Sequence, residues 1–301
     1  MRLAERSGAG MLVVDIILTG LIIGGMYALV AMGLTLQYGV ARIVNLAYGE
    51  FFVAAALGAF WLYTGLAVSP LAGLILSLPI AFGLNWAIYQ SLLLPLVRRA
   101  KNQGMLEVDS ILLTFGLLFV IQGLALASFG GQYFSYSYLS IPVSVLGSAL
   151  AVNRLIALAF AVGIGSGLYL ALTRTRLGTA VRAVAVDPVA AQLVAIDVRR
   201  AAAFAFALGG ALVAAAGVLG GMFLTLNAGM GAVFTTKALI VVIMGGVGNL
   251  MGALAAGLLL GIAETFVARL VDPGLTLAVN YALFLAVLLW RPTGLFGSTT
   301  R

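Results

Sequence analysis

The chain has 301 residues, of which 63% are hydrophobic and 8% charged, with a mean hydropathy of +1.18. A soluble domain carries roughly 25% charged residues, so the composition is that of an integral membrane protein. Its net charge of +7 sits mostly at the ends of apolar runs, the pattern of a positive-inside topology rather than of a nucleic-acid partner. There is no Cys and no His, which excludes disulfides, thiol chemistry, imidazole acid–base catalysis and the usual zinc or haem ligands; no metal and no cofactor is expected.

The N-terminal MRLAERSGAG precedes an apolar run without a small-residue cleavage site, and Asp15 interrupts the start of that run. It reads as a retained first span, not a signal peptide. A helix needs about 20 apolar residues to cross the hydrocarbon core. Ile16–Ala41 supplies the first, ending near Gln37-Tyr38-Gly39. In VARIVNLAYGEFF, residues 40–52, the polar Arg42, Asn45 and Glu50 break the pattern. Phe51–Val97 is free of charge for 47 residues, enough for two spans with a turn near Gly65–Pro70, and the basic cluster Arg98–Lys101 closes it. Ser110–Phe129 is the next span.

Gly130–Ser148 is uncharged and rich in Ser, Gly and Tyr, and its Tyr133, Phe134, Tyr136 and Tyr138 suit the headgroup zone. Leu155–Thr173, the Ala- and Gly-rich Ala201–Leu226, Lys237–Gly261 and Leu275–Trp290 complete about eight spans, with Glu264, Arg269 and Asp272 between the last two. The expected fold class is all-α, a single polytopic bundle over residues 1–301 with broken or re-entrant helices.

Segments bearing Arg42, Arg98–Lys101 and residues 173–200 alternate with Gly65–Pro70, Gly130–Ser148 and Asn227–Thr236, which have no Lys or Arg. The first set is therefore cytoplasmic and the N-terminus outside. Eight spans would strand Arg291 and Arg301 outside unless a half-helix near Lys237–Asn249 changes the count. Thr35-Leu36-Gln37-Tyr38-Gly39 faintly echoes Thr225-Leu226-Asn227-Ala228-Gly229, as in transporters built from repeats.

Thr173–Arg200 concentrates seven charged residues between two spans. Leu177, Val181 and Val184 recur at i, i+4, i+7, and so do Val189, Leu193 and Ile196, the spacing of two short amphipathic helices. Asp187-Pro188 divides them, since Asp is a good N-cap and Pro suits the first helical position. Such an elbow either docks a partner or is a solvated loop.

Intramembrane polar residues are the other candidates: Asn45, Glu50, Lys237, Asn249 and Glu264. A mid-bilayer charge costs about 2.5–3.5 kcal/mol on insertion scales, so these residues line a passage, support broken helices, or pair with one another near the surface. Gly245-Gly246-Val247-Gly248-Asn249 is able to unwind a helix or to pack it closely. No G-x-x-x-x-G-K-[ST] is present, so uphill transport would need a partner ATPase or an ion gradient.

GMYALVAMGLTLQYGVARIVNLAYGE (25–50), the elbow, KALIVVIMGGVGNLMGA (237–253) and RPTGLFG (291–297) together resemble the LivH-type permease of branched-chain amino acid ABC importers. The resemblance implies a non-catalytic transport subunit of a bacterial inner membrane. Its partners would be membrane lipid, a related second permease, two cytoplasmic ATPases and an extracytoplasmic substrate-binding protein. It also implies that Gly178, Arg182, Asp187, Ala190, Ala191, Leu193 and Ile196 of the elbow couple to the ATPase. Val189 stands where the general ABC-importer motif has Glu, and Ala195 where it has Gly; without that Gly the second helix has room to run on rather than turn. Tyr48 replaces a His usual in the family's N-L-A-H-G-E segment. The rival reading is an ion-gradient-driven carrier or channel in which Glu50, Lys237 and Glu264 do the coupling.

Overall fold

The computed structural model describes residues 2–100, 102–145 and 147–297, with side chains from residue 12 onward; Lys101 and Arg301 lie outside the described residues. Among the described residues are twelve α-helices and one small hairpin, with a 3-10 turn at Pro273–Leu275: α1 (Arg2–Ala41), α2 (Tyr48–Leu66), α3 (Pro70–Ile88), α4 (Leu94–Arg99), α5 (Gln103–Phe129), β1 (Pro142–Val145), β2 (Ser148–Ala151), α6 (Val152–Arg174), α7 (Arg176–Val186), α8 (Pro188–Leu193), α9 (Val198–Gly221), α10 (Gly231–Gly245), α11 (Leu250–Leu270) and α12 (Thr276–Trp290). A π-helical turn at Tyr89–Leu93 joins α3 and α4 into one span, Pro70–Arg99. Eight helices are long and apolar enough to cross a membrane, and the all-α polytopic bundle expected from the sequence is what forms. The antiparallel hairpin, Pro142 opposite Ala151, is an addition within the segment that sequence reading left irregular.

Two expectations are corrected. Lys237–Gly261 is not one span. Gly246 (φ 100°) and Gly248 (φ 83°) take left-handed backbone, which a glycine enters without the penalty of a Cβ, and they end α10 before Asn249 starts α11. Glu264 and Arg269 therefore lie inside α11, not between spans. Asp15 sits within α1 and pairs with Arg269 at 3.2 Å.

The extra helix settles the side of the C-terminal segment. Asp15 and Arg269 meet at the hairpin end of the bundle, so α12 runs back toward the elbow end. There Leu295 N–H donates to the Met244 carbonyl (2.7 Å) and Phe296 N–H to that of Gly245 (3.2 Å). Arg291 thus lies on the same side as Arg42 and the elbow, and the charge conflict of an eight-span count disappears.

At 15 residues, α10 is only about 22 Å long, short of the roughly 30 Å hydrocarbon core. Its first turn meets the first turn of α2: the Phe52 and Phe234 rings stack at 4.0 Å, and Gly49 N–H donates to Thr235 Oγ1 at 2.8 Å. From that level α2 rises to the hairpin side, where Phe60 and Tyr63 pack on Phe134, Tyr136 and Tyr138, and α10 descends to the elbow side. The last two tyrosines are thus half-buried in an aromatic cluster, while Tyr133 is the exposed member of the group.

Helices α1–α3 and α9–α11 form the same motif in opposite senses: a long helix, a non-helical return, a helix starting inside the bundle, and a closing span. Helix α11 packs along α1 as α3 packs along α9. The two long helices cross at glycines with reciprocal contacts: a Cβ on Gly33 would stand 2.9 Å from the Gly209 carbonyl oxygen, and one on Gly209 would stand 2.6 Å from that of Gly33. This is the inverted-repeat plan of many transporters. The five-residue echo does not mark it, because Thr35–Gly39 closes α1 whereas Thr225–Gly229 lies in the return after α9.

Between helices surrounded by lipid, attraction comes from close van der Waals contact, which small residues permit. The Ala/Gly-rich α9 is accordingly the most enclosed helix, while α12 and the α3–α4 span present large apolar side chains such as Ile75 and Leu289 outward. Gly209→Val should therefore destroy the α1–α9 crossing and abolish the monodisperse peak in detergent gel filtration. Gly116→Val, at a site with no atom within 4 Å of the added carbon, should leave it intact.

Candidate functional site

The site is built on unwound backbone. Helix α1 ends where Arg42 takes φ 56°, its N–H still donating to the Tyr38 carbonyl (3.0 Å), and residues 43–47 return into the bundle outside any helix. A main-chain N–H or C=O left unpaired there costs several kcal/mol, and non-helical backbone survives at this depth only inside protein. Neighbouring side chains meet the demand. Val44 N–H donates to Ser110 Oγ (3.3 Å) and Leu46 N–H to Thr114 Oγ1 (3.1 Å), both on α5. Thr235 Oγ1 on α10 donates to the Leu46 carbonyl (3.1 Å), and Asn45 Oδ1 accepts from Ala47 N–H (3.1 Å). Asn45 Nδ2 then donates to Gln37 Oε1 (3.2 Å), whose Nε2 donates to the Phe206 carbonyl (2.8 Å) on α9.

Glu50 stands at the end of this segment, 1% exposed, in the first turn of α2 and directly against Gly231 at the start of α10. Neither carboxylate oxygen has a hydrogen-bond partner among the described residues. Two helix N-termini converge on it, each carrying roughly +0.5 elementary charge, which is the available compensation for a buried anion. Any side chain at Gly231 would occupy the carboxylate's space. Tyr48, in place of the family's His, donates from its hydroxyl to the Gly209 carbonyl (2.8 Å) at the α1–α9 crossing. Its geometry is that of a structural donor.

Lys237 and Glu264 form a separate cluster. Lys237 Nζ lies 2.7 Å from Glu264 Oε1 and donates to Tyr27 Oη (2.6 Å), with the Tyr27 ring centroid 4.7 Å away. Asn280 Nδ2 stands 3.5 Å from Glu264 Oε2. The two charges neutralise each other, so neither pairs with Glu50. Asn249 is elsewhere: its Oδ1 caps α11 through Gly252 N–H (3.0 Å) and its Nδ2 holds the Phe296 carbonyl (3.0 Å). Sequence reading missed Gln37, Ser110, Thr114 and Thr235, because a hydroxyl or amide in an apolar helix is unremarkable until an unwound segment lies beside it.

The elbow forms the two helices expected of it. Thr175 caps α7 through Gly178 N–H (3.0 Å), and Asp187 caps α8 through Val189 and Ala190 N–H (2.8 and 3.0 Å). Gly178 is buried where a Cβ would strike the main chain of Ala171 and Leu172, which lets α7 fold tightly under α6. The single apolar face expected for each helix is corrected. Val181 (2% exposed), Val184 and Ala191 turn into the bundle and Ile196 is half-buried, whereas Leu177, Val189 and Leu193 (85% exposed) point away. Val186, Val194, Ala190 and Arg182 are exposed as well.

Helix α8 also does not run on. Ala195 itself takes the left-handed conformation (φ 62°) expected of glycine. Its N–H donates to the Gln192 carbonyl and that of Ile196 to Ala191, the paired bonds of a Schellman termination. The elbow is tied to the unwound segment, because Arg42 donates to the Ala185 carbonyl at 3.1 Å.

Removing one member of a buried ion pair is expected to cost about 3–5 kcal/mol, while replacing both by apolar residues is often neutral. Lys237→Met and Glu264→Leu alone should each lower the melting temperature in detergent, and the double variant should recover most of the loss. Recovery would identify the pair as scaffold; additive losses would refute that.

A family model described as "Branched-chain amino acid transport system / permease component" matches residues 16–288. The chain is 31% identical over 290 residues to the high-affinity branched-chain amino acid transport system permease protein BraD of Pseudomonas aeruginosa, covering 93% of this chain and 94% of that one. It is 29% identical over 300 residues to the corresponding LivH of Salmonella typhimurium, covering 92% and 93%. It is 27% identical over 297 residues to a probable branched-chain amino acid transport permease protein LivH of Methanocaldococcus jannaschii, covering 93% and 92%. No solved structure matches the chain. With nearly its whole length matched in family and relatives, the chain belongs to the branched-chain amino acid transport system permease components.

Proposed function

We propose that this chain is the permease subunit of an ABC importer carrying branched-chain or related amino acids across a bacterial inner membrane. Its partners are a second, related permease, two cytoplasmic ATPases and an extracytoplasmic binding protein. The observation that carries the reading is the elbow: two capped helices that expose large apolar side chains and arginines, joined by one hydrogen bond to the unwound segment inside the bundle. Exposed contiguous apolar surface on a soluble-facing loop marks an interaction site. On a positive-inside assignment the elbow is cytoplasmic, where an ATPase would meet it.

The sequence of events follows from the connections. Closure of the ATPases on ATP pushes Leu193 and its neighbours on α8, and the elbow moves as a unit. The movement passes through the Ala185 carbonyl to Arg42, and from Arg42 to residues 43–47. These hold Glu50 at the meeting of α2 and α10. Displacing them separates the two helix N-termini and opens a passage beside Glu50. Helix N-termini and Glu50 offer complementary groups to the carboxylate and ammonium of an amino acid. The ion-gradient alternative has less support, because Lys237 and Glu264 satisfy each other and leave no open coupling site between them.

The deciding experiment is uptake into vesicles holding the intact complex. Dependence on ATP with indifference to collapsed ion gradients supports the importer, and the reverse pattern refutes it. Within that assay, Leu193→Asp should leave ATP hydrolysis measurable but cut uptake about tenfold or more, by placing charge on the contact face. Arg42→Gln should preserve ATPase co-purification and lower transport per ATP hydrolysed; unchanged coupling would remove Arg42 from the route.

A further inference from the structure

On the side opposite the elbow lies a cleft of about 500 Å³ that takes no part in the route above. The hairpin, the first turn of α6, residues 135–140 and the turn after α9 enclose it. Its volume falls in the range of small-molecule sites, roughly 300–1,000 Å³. Arg154, in the first turn of α6, lines it and joins none of the ion pairs among the described residues. Arg269, whose side chain is described at this end, is engaged by Asp15. Helix α6 has neither a side-chain cap nor an acidic residue in its first turn, so its N-terminal field adds to the Arg154 charge.

Asn153, 4% exposed, lies in the cleft wall with its Nδ2 donating to the Met222 carbonyl (2.9 Å) and its Oδ1 without a partner. Ser137 and Ser140 contribute hydroxyls, while Leu224 forms an apolar wall. The lining thus combines a free guanidinium, hydroxyl and amide acceptors, and an aliphatic surface, with no carboxylate.

We infer that this cleft is a second binding site, on the outer face, for the zwitterion of an aliphatic α-amino acid. The carboxylate meets Arg154 and the α6 N-terminus, the ammonium meets the hydroxyls and Asn153, and the side chain lies on Leu224. The inference rests on the importer reading for its ligand class and on the cleft alone for its location. A site here holds substrate released at the outer mouth close to the membrane before the passage opens.

The test is equilibrium binding of radiolabelled L-leucine to the intact permease–ATPase complex in nanodiscs, without nucleotide or binding protein, beside ATP-driven leucine uptake by the same complex with its binding protein. Saturable binding is expected. It should weaken about tenfold or more in Arg154→Gln, the loss of a charge-assisted bidentate contact. L-leucinamide, which lacks the carboxylate, should compete about tenfold less well than L-leucine. Binding that Arg154→Gln leaves unchanged, or no saturable binding despite ATP-driven uptake, overturns the cleft and leaves the importer reading standing. Absence of both binding and ATP-driven uptake overturns the two together. Unchanged leucine binding with weakened capture of the binding protein gives the cleft to a carboxylate of that protein and likewise overturns the inference.

Discussion

The structure depends on a single constraint: main chain that leaves the helix inside a bilayer must find its hydrogen bonds in protein. Residues 43–47 create that demand, and every element that packs on them answers part of it. Helix α5 brings Ser110 and Thr114, α10 brings Thr235, and the segment's own Asn45 reaches the Gln37 amide that in turn holds α9. The hydrogen bonds are therefore also the instructions for assembly. Helices with nothing but apolar faces would slide past one another; these are placed in register by a stretch of chain that cannot satisfy itself.

The same device explains why charge is tolerated here. Glu50 is buried between two helix starts, and Lys237 and Glu264 are buried against each other. The first arrangement leaves a carboxyl group between two helix starts with no hydrogen-bond partner among the described residues. The second is closed, with an aromatic hydroxyl and an amide completing it. A group poised between separable elements is suited to a passage that opens, and a self-contained pair is suited to a frame that stays. The bond from Arg42 to the Ala185 carbonyl connects the unwound segment to the elbow.

Much of this was legible in the sequence. Uncharged intervals located most spans, and Asp187-Pro188 marked the division of the elbow, because capping and proline effects act over a few residues. Three things were not legible. The run Lys237–Gly261 carries no charge at its break, and two glycines read equally as close packing or as a turn. Periodicity grouped Val181 and Val184 with Leu177, but spacing tells which residues share a stripe, not where that stripe's edge passes from bundle to solvent. Ala195 carries a strained conformation that residue type argues against; the Schellman bonds and the cap of the next helix at Asp197 outweigh a penalty of about 1 kcal/mol. The five-residue echo suggested a repeat without locating it, because the inverted repeat is a relation between helix directions.

The absence of cysteine makes the central claim directly measurable. In the otherwise unchanged chain, Leu193→Cys introduces a lone thiol on the exposed face of α8, and a short thiol-to-amine cross-linker can be added to membranes holding the complete transporter. The account predicts a cross-link to the ATPase subunit whose yield changes on addition of ATP. A thiol that instead reacts with a membrane-impermeant reagent supplied from outside the cell, and forms no ATPase adduct, would contradict it.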